Sequence, residues 1–180
     1  VSIILGNVGK SKIVEYIEEF KKNKKPIIKI EDIMNSKFED MCLNNFNKTR
    51  AFVKIQDGCN NFCSYCIVPY VRGREKSRKP QDIVNEVEEI LKQGKYKVIT
   101  LLGQNVNAYG KDLEGEINFN ELLEKVALLG IDRIRFVTSH PWDFTDEMID
   151  TIAKYDNIMP YVHLPLQSGS SRILKLMGRR

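Results

Sequence analysis

Apolar positions recur along this chain in two rhythms, short near-continuous runs and helical faces, and their alternation becomes regular after residue 49. Ala51-Phe52-Val53-Lys54-Ile55 predicts a strand. Lys97-Val98-Ile99-Thr100-Leu101-Leu102 is an almost unbroken apolar run of the kind buried on both faces of a parallel sheet. Arg133-Ile134-Arg135-Phe136-Val137-Thr138 predicts a third strand and Tyr161-Val162-His163-Leu164-Pro165-Leu166 a fourth. Helical faces lie between them. Pro80 opens one that carries Ile83, Val84, Val87, Ile90 and Leu91 and closes at Gly94. Asn118 with Glu121 has the spacing of a capping box ahead of Leu122, Leu123 and Val126, and Gly130 stops that helix. Thr145 caps a third helix, with Met148, Ile149 and Ile152, and a last one begins near Ser170.

Strand and helix thus alternate four times at intervals of about 30 to 45 residues, the pattern of βαβ units in which working residues sit on loops after the carboxyl ends of strands. Four units do not close a barrel, so the expected fold class is α/β, a partial (βα) barrel. The beginning reads differently. Val1 to Leu5 predicts a short buried strand, and Ile13, Val14, Ile17 and Phe20 form a helical face that dissolves into Lys21-Lys22-Asn23-Lys24-Lys25. From Pro26 to Lys48 no period persists. The expected organisation is a remnant of an N-terminal α/β domain at 1–24, a linker at 25–48 and the partial barrel at 49–180. Without an initiator Met, and with residue 180 falling in or just after the fourth helix, the chain is expected to be a piece of something longer.

Composition narrows the class without naming a function. With 42% hydrophobic and 29% charged residues the 180-residue chain reads as a folded globular protein, and disordered and fibrous classes drop out. No apolar run approaches the roughly 20 residues that span a bilayer, so no membrane partner is expected. The first residues lack the pattern of a secretory signal. A net charge of +4 permits a polyanionic partner without requiring one. The basic residues are clumped at 21–25, at 72–79 and at Arg179-Arg180, and the default reading of a clump is a solvated face. Arg72 and Arg74 follow the cysteines closely enough to be candidates for RNA phosphate or a ligand carboxylate.

Four cysteines without a secretory signal point to a reducing, cytoplasmic setting. Cys42 stands alone and reads as a partly buried thiol without a role. Cys59, Cys63 and Cys66 have the spacing C-x3-C-x2-C. Structural zinc takes four ligands, and His140 and His163 are far along the chain. A redox pair would use Cys63 and Cys66 and leave Cys59 idle. Three thiolates on a 4Fe–4S cluster leave one iron position open, as a catalytic metal site requires. Spacing alone leaves zinc, redox and cluster readings open, with the cluster favoured. Gly6-Asn7-Val8-Gly9-Lys10-Ser11 imitates a phosphate loop, but the first glycine of that pattern falls on Ile4, and a strand-to-helix turn is the preferred reading.

The cysteine spacing, with Tyr65 just before the third cysteine and after the first strand of a βα series, resembles the radical S-adenosylmethionine (SAM) superfamily. Residues 49–59 and 66–75 resemble its methylthiotransferases, as do Leu102 to Gly110, Arg133 to Pro141 and His163 to Ser170. These five stretches are most similar to the MiaB-type tRNA enzymes, and the resemblance that rests on them spans about residues 49 to 180, roughly three quarters of the chain. The resemblance implies a 4Fe–4S cluster on Cys59, Cys63 and Cys66. Its open iron would bind the amino and carboxylate groups of S-adenosylmethionine, which an electron cleaves to a 5′-deoxyadenosyl radical. It implies addition of a methylthio group to C2 of N6-isopentenyladenosine beside the anticodon. The tRNA anticodon loop is then the partner, with an electron donor such as flavodoxin or ferredoxin. A second 4Fe–4S cluster is expected on an N-terminal domain that these residues do not include. The implied cofactor contacts are Tyr65, then Gly103, Gln104 and Asn105 after the second strand. Ser139, Gln167 and Ser168 follow the third and fourth strands. His140 and His163 read as structural, and Tyr109 and Trp142 are loop aromatics that could stack on a base. The alternatives are a branch acting on threonylcarbamoyl-adenosine or on a ribosomal-protein aspartate, and a non-catalytic iron–sulfur or zinc module that binds RNA.

Overall fold

The computed structural model describes residues 1–34, 36, 38–39, 49–115 and 117–179. Cys42 and Arg180 lie outside the described residues.

Strand β1 (Ile3–Leu5), helix α1 (Ile13–Asn23) and strand β2 (Ile27–Lys29) form a small parallel unit in which Ile3 faces Ile27. Three residues are too few to show a period, which is why β2 was not visible in the sequence. β1 is only half-buried, and α1 buries no residue. The loop between them is a strand-to-helix turn. The Lys10 and Ser11 amides, which a phosphate loop would offer to a nucleotide, donate to the Glu39 carboxylate at 3.2 and 2.7 Å.

The second unit begins with β3 (Arg50–Lys54) and the two-residue β4 (Gln56–Asp57), followed by α2 (Val68–Arg72), β5 (Lys76–Ser77) and α3 (Pro80–Lys92). It continues through β6 (Val98–Leu102), α4 (Phe119–Ala127), β7 (Arg133–Phe136), α5 (Asp146–Lys154) and α6 (Ser171–Leu176). β3, β6 and β7 make one parallel sheet in that order, with Ala51 opposite Ile99 and Ile99 opposite Ile134. Ile99, Thr100 and Leu101 are all buried, so both faces of the central strand are covered. Helices α3, α4 and α5 contribute Ile83 and Val87, Leu122, Leu123 and Val126, and Met148 to the core. Each such side chain gains about 1.5–3 kcal/mol on leaving water. Phe119 meets Phe136 edge to face at 5.3 Å, joining α4 to β7. The Asn118 capping box is formed, the Glu121 amide donating to Asn118 Oδ1 at 3.1 Å and the Asn118 amide to Glu121 Oε2 at 2.8 Å.

The fourth strand is the difference from expectation. Residues 161–166 are not a strand, and the parallel ladder beyond β7 is reduced to one bridge between Ile134 and Ile158. Pro160, just ahead of the expected segment, and Pro165, inside it, remove backbone donors, and no strand pairs with its far edge among the described residues. The architecture is α/β with parallel sheets, and the barrel is open.

Candidate functional site

The cysteine loop runs from the end of β3 to α2, and its base is pinned by the β4–β5 pair, Gln56 opposite Ser77 and Asp57 opposite Lys76. Neither short strand was legible in the sequence. Gly58 has φ +76, and a Cβ there would overlap the Arg74 carbonyl. Only glycine lets the backbone pass this close, directly ahead of Cys59. The Cys59 amide donates to Gly73 O at 3.2 Å and the Cys66 amide to Cys63 O at 2.9 Å. Asn60, inside the loop, donates from its amide and its side chain to Glu75 at 3.2 and 3.1 Å, and accepts from the Glu75 amide.

Cys59 and Cys63 are buried, Cys66 is half-buried, and all three are free thiols. Burial pushes the Cys59 thiol up to about 11, with the neighbouring Glu75, Cys63 and Cys66 adding to the rise and the Asn61 amide opposing it. Burial thus favours the neutral thiol of Cys59 in the unligated loop. Among the described residues no three His, Cys, Asp or Glu side chains converge on a point where one ion would sit.

Four buried polar side chains occupy the carboxyl ends of the sheet strands. Gln56 follows β3, Asn105 follows β6, and Ser139 and His140 follow β7; they are 0%, 2%, 3% and 7% exposed. Each holds an atom with no partner among the described residues: Gln56 Nε2, Asn105 Oδ1, Ser139 Oγ and His140 Nε2. Buried polar atoms are ordinarily paired, so four orphans at one end of a sheet mark a place for a ligand. Gln56 Oε1 accepts from the Asn105 amide at 3.3 Å. A Cβ on Gly103 would stand 3.1 Å from that oxygen, so this glycine keeps the two loops close. Asn105 Nδ2 donates to Asp143 at 2.7 Å, and Asp143 is paired with Lys111 on its other oxygen. His140 Nδ1 accepts from the Trp142 amide at 3.3 Å, which leaves the proton on Nε2. The pairing expected of a structural histidine is thus met at one ring nitrogen only.

The remaining expected residues divide. Gln104 is half-buried, with Oε1 unpartnered among the described residues, and Tyr65 is 52% exposed with its hydroxyl against Arg179 and Cys63. Gln167 is exposed with φ +69, and the Ser168 hydroxyl accepts from the Ser170 amide at 3.1 Å, a local turn contact. His163 is exposed. Tyr109 is 1% exposed and its hydroxyl donates to Arg78 O at 2.6 Å, so it is a core residue and not a stacking platform. Trp142 is 42% exposed beside a groove of about 270 Å3. Arg72 pairs with Asp57 at 3.2 Å, and the Arg74 guanidinium lies over the Phe62 ring at 4.7 Å. Gln56, Glu75, Asp143 and Arg179 contact these candidate residues although the sequence did not single them out. Gln56 carried the only signal, a polar residue directly after a strand. Arg179, counted in a basic clump read as solvated, is 7% exposed.

Residues 53–180 match the model of the radical SAM superfamily. The chain belongs to the radical SAM superfamily. It is 52% identical over 180 residues to a protein of Clostridium botulinum (strain Okra / Type B1) named tRNA-2-methylthio-N(6)-dimethylallyladenosine synthase. Proteins of the same name from Moorella thermoacetica and Staphylococcus saprophyticus are 51% and 46% identical. The matches cover 99–100% of this chain and 35–40% of those proteins, so the chain spans well under half the length of these relatives. The fold resembles that of a radical SAM methyltransferase, TsrM, from Kitasatospora setae, with a TM-score of 0.55 at 19% identity over 71% of this chain and 24% of that one.

In this radical SAM chain the donor set suits an iron–sulfur cluster. Three thiols come from one pinned loop, and two of them are buried. The four orphaned polar atoms suit a polar cofactor at the strand ends.

Proposed function

We propose that this chain is the radical-generating part of a tRNA methylthiotransferase that attaches a methylthio group to C2 of N6-isopentenyladenosine (dimethylallyladenosine) beside the anticodon. The observation that carries this reading is the three-thiol loop, joined through Asn60 and Glu75 to Asn105, together with the buried, unpartnered atoms of Gln56, Asn105, Ser139 and His140. The relatives' shared name supplies the substrate.

Cys59, Cys63 and Cys66 would hold a 4Fe–4S cluster, and the strand-end residues would hold S-adenosylmethionine. When bound, these groups supply the electron and the carbon radical that activate the adenosine ring. The chain's own residues bind, orient and exclude water. Gln56 Nε2 and His140 Nε2 have N–H groups to donate, Asn105 Oδ1 can only accept, and Ser139 Oγ does either. That mixture suits a ligand with both donors and acceptors, such as an amino acid moiety and a ribose. Asp143 and Lys111 hold Asn105 in place. Gly103, Gln104 and Tyr65 complete the expected contact set, with Gln167 and Ser168 nearer the rim.

An anticodon-loop base is single-stranded and can be splayed out onto an aromatic face. Trp142 and the exposed Arg74 support contact with it. The exposed Ile67, Tyr70 and Val71 beside the thiols support docking of a one-electron donor such as flavodoxin or ferredoxin. A second 4Fe–4S cluster, supplying the sulfur, would belong to further chain of the kind the longer relatives carry, and the whole would work in the cytoplasm. No helix among the described residues is long and apolar enough to cross a membrane.

Anaerobic reconstitution, iron and sulfide analysis and a cofactor-cleavage assay under dithionite test the radical site. A four-iron cluster that cleaves S-adenosylmethionine, and is lost in Cys63→Ala, is expected; bound zinc without cleavage sinks the reading. Mass spectrometry of anticodon-loop nucleosides from cells with and without the gene tests the substrate, and an unchanged methylthio-adenosine level rejects it.

A further inference from the structure

We propose that Arg179 sets the reduction potential of the cluster bound by Cys59, Cys63 and Cys66, acting as a fixed positive charge and hydrogen-bond donor to Cys63. The inference rests on the cluster reading above and adds a residue that reading does not use.

Arg179 follows α6 and is 7% exposed. Its Nη1 donates to Cys63 Sγ at 3.7 Å and its Nη2 to Pro165 O at 3.0 Å. Among the described residues no carboxylate is ion-paired with it. A guanidinium stays charged at any working pH, and a buried charge without a counter-charge is costly. A cluster-bound thiolate at Cys63 would supply the missing negative charge. The geometry therefore matches the ligated form of the loop.

The contact is also held rigidly. The Ser64 amide donates to Met177 O at 3.0 Å, and its hydroxyl donates to Leu176 O at 3.1 Å. Gly178 has φ +68, and a Cβ on it would stand 3.4 Å from Phe62 O. The end of α6 is thus tied to the loop by two hydrogen bonds from Ser64, next to Cys63, and Gly178 lies close to Phe62 on its other side. The Arg179 amide donates back to Leu174 O at 2.8 Å, which fixes the backbone that carries the guanidinium.

A low-potential one-electron donor, dithionite in vitro, gives one electron to the oxidised cluster; no bond breaks, no proton moves, and the cluster gains one negative charge. Arg179 stabilises the more negative state, and its N–H···S hydrogen bond strengthens as the sulfur gains charge. Cluster potentials respond to net charge, to hydrogen bonds on sulfur and to exposure, and Arg179 acts on the first two. It eases electron entry as a positioning residue and touches no reacting atom of the substrate.

The test is a redox titration of the intact, anaerobically reconstituted gene product, followed by the electron paramagnetic resonance signal that changes shape on adding S-adenosylmethionine. Arg179→Gln with native iron and sulfide content is expected to titrate at a lower midpoint potential, and Arg179→Lys in between. Arg179→Gln titrating at the native potential overturns the proposal, and so does a native potential accompanied only by weaker S-adenosylmethionine binding. If Arg179→Gln holds no cluster, Arg179→Lys decides: a lowered potential supports the proposal, and a native potential or a second failure to load assigns Arg179 a purely structural part. A native protein that holds no such cluster removes the proposed function instead, which keeps the two failures apart.

Discussion

Asn105 and Asp143 are joined by a 2.7 Å hydrogen bond from Asn105 Nδ2 to Asp143 Oδ2, which ties the loop after β6 to the loop after β7. The bond orients a buried amide whose Oδ1 is left with no partner among the described residues. Asp143→Ala takes one of the two carboxylates from the Nδ2 group and leaves it Glu75, and is expected to cost about 1–3 kcal/mol. Asp143→Asn keeps one acceptor and loses less. Urea denaturation of the cofactor-free protein measures both, and equal losses would deny the bond its part.

Ser139 separates stability from binding. Its hydroxyl is buried and unpartnered among the described residues, so Ser139→Ala removes no hydrogen bond of the free protein. Its thermal midpoint is expected to stay level or rise. Affinity for S-adenosylmethionine, read by calorimetry, falls about fivefold to tenfold, the worth of one hydrogen bond near 1 kcal/mol. An unchanged affinity removes Ser139 from the cofactor site.

Gly58 and Gly94 make a matched pair. Both have positive φ, +76 and +67, but a Cβ on Gly94 meets nothing within 4 Å while one on Gly58 overlaps the Arg74 carbonyl. Gly94→Ala is expected to cost only the backbone strain, about 1–2 kcal/mol. Gly58→Ala displaces the cysteine loop and loses iron on reconstitution. Iron content is the readout, and full loading of Gly58→Ala would show that the loop does not need this close approach.

His140 links stability to pH. Burial first, then the Arg179 and Lys111 charges, hold its imidazole below the ordinary 6.5, while Asp143 pulls the other way. The folded protein therefore binds this proton less readily than the unfolded chain. The stability this confers is fully present above pH 6.5 and is lost as pH falls through the folded-state value. Urea unfolding between about pH 7.5 and about 5.5 is expected to show a steeper acid loss in the native protein than in His140→Asn. Parallel curves would sink the assignment.

Much of the candidate site was legible because cysteine spacing and a polar residue after an apolar run are local signals. Cys59, Cys63, Cys66, Asn105 and Ser139 all carry such signals, and the structure sets Asn105 and Ser139 at adjacent strand ends. The residues that escaped notice act across long stretches of chain. Glu75 grips Asn60 fifteen residues away, and Arg179 reaches Cys63 across 116. Neither has a periodicity to betray it. The segment at 161–166 misled for the opposite reason: its composition suits a strand, but two prolines and an unpaired edge left only a bridge at Ile158.

The sequence by itself determined the α/β class, the order of the core elements from β3 to α5 and the three thiols, because periodicity, caps and ligand spacing act over a few residues. Only the tertiary structure decided which polar groups lost their water. Burial of Gln56 and His140 at neighbouring strand ends, and of Arg179 against a thiol, depends on how distant segments pack. Desolvation is what turns an ordinary side chain into one that needs a partner, and no local pattern records it.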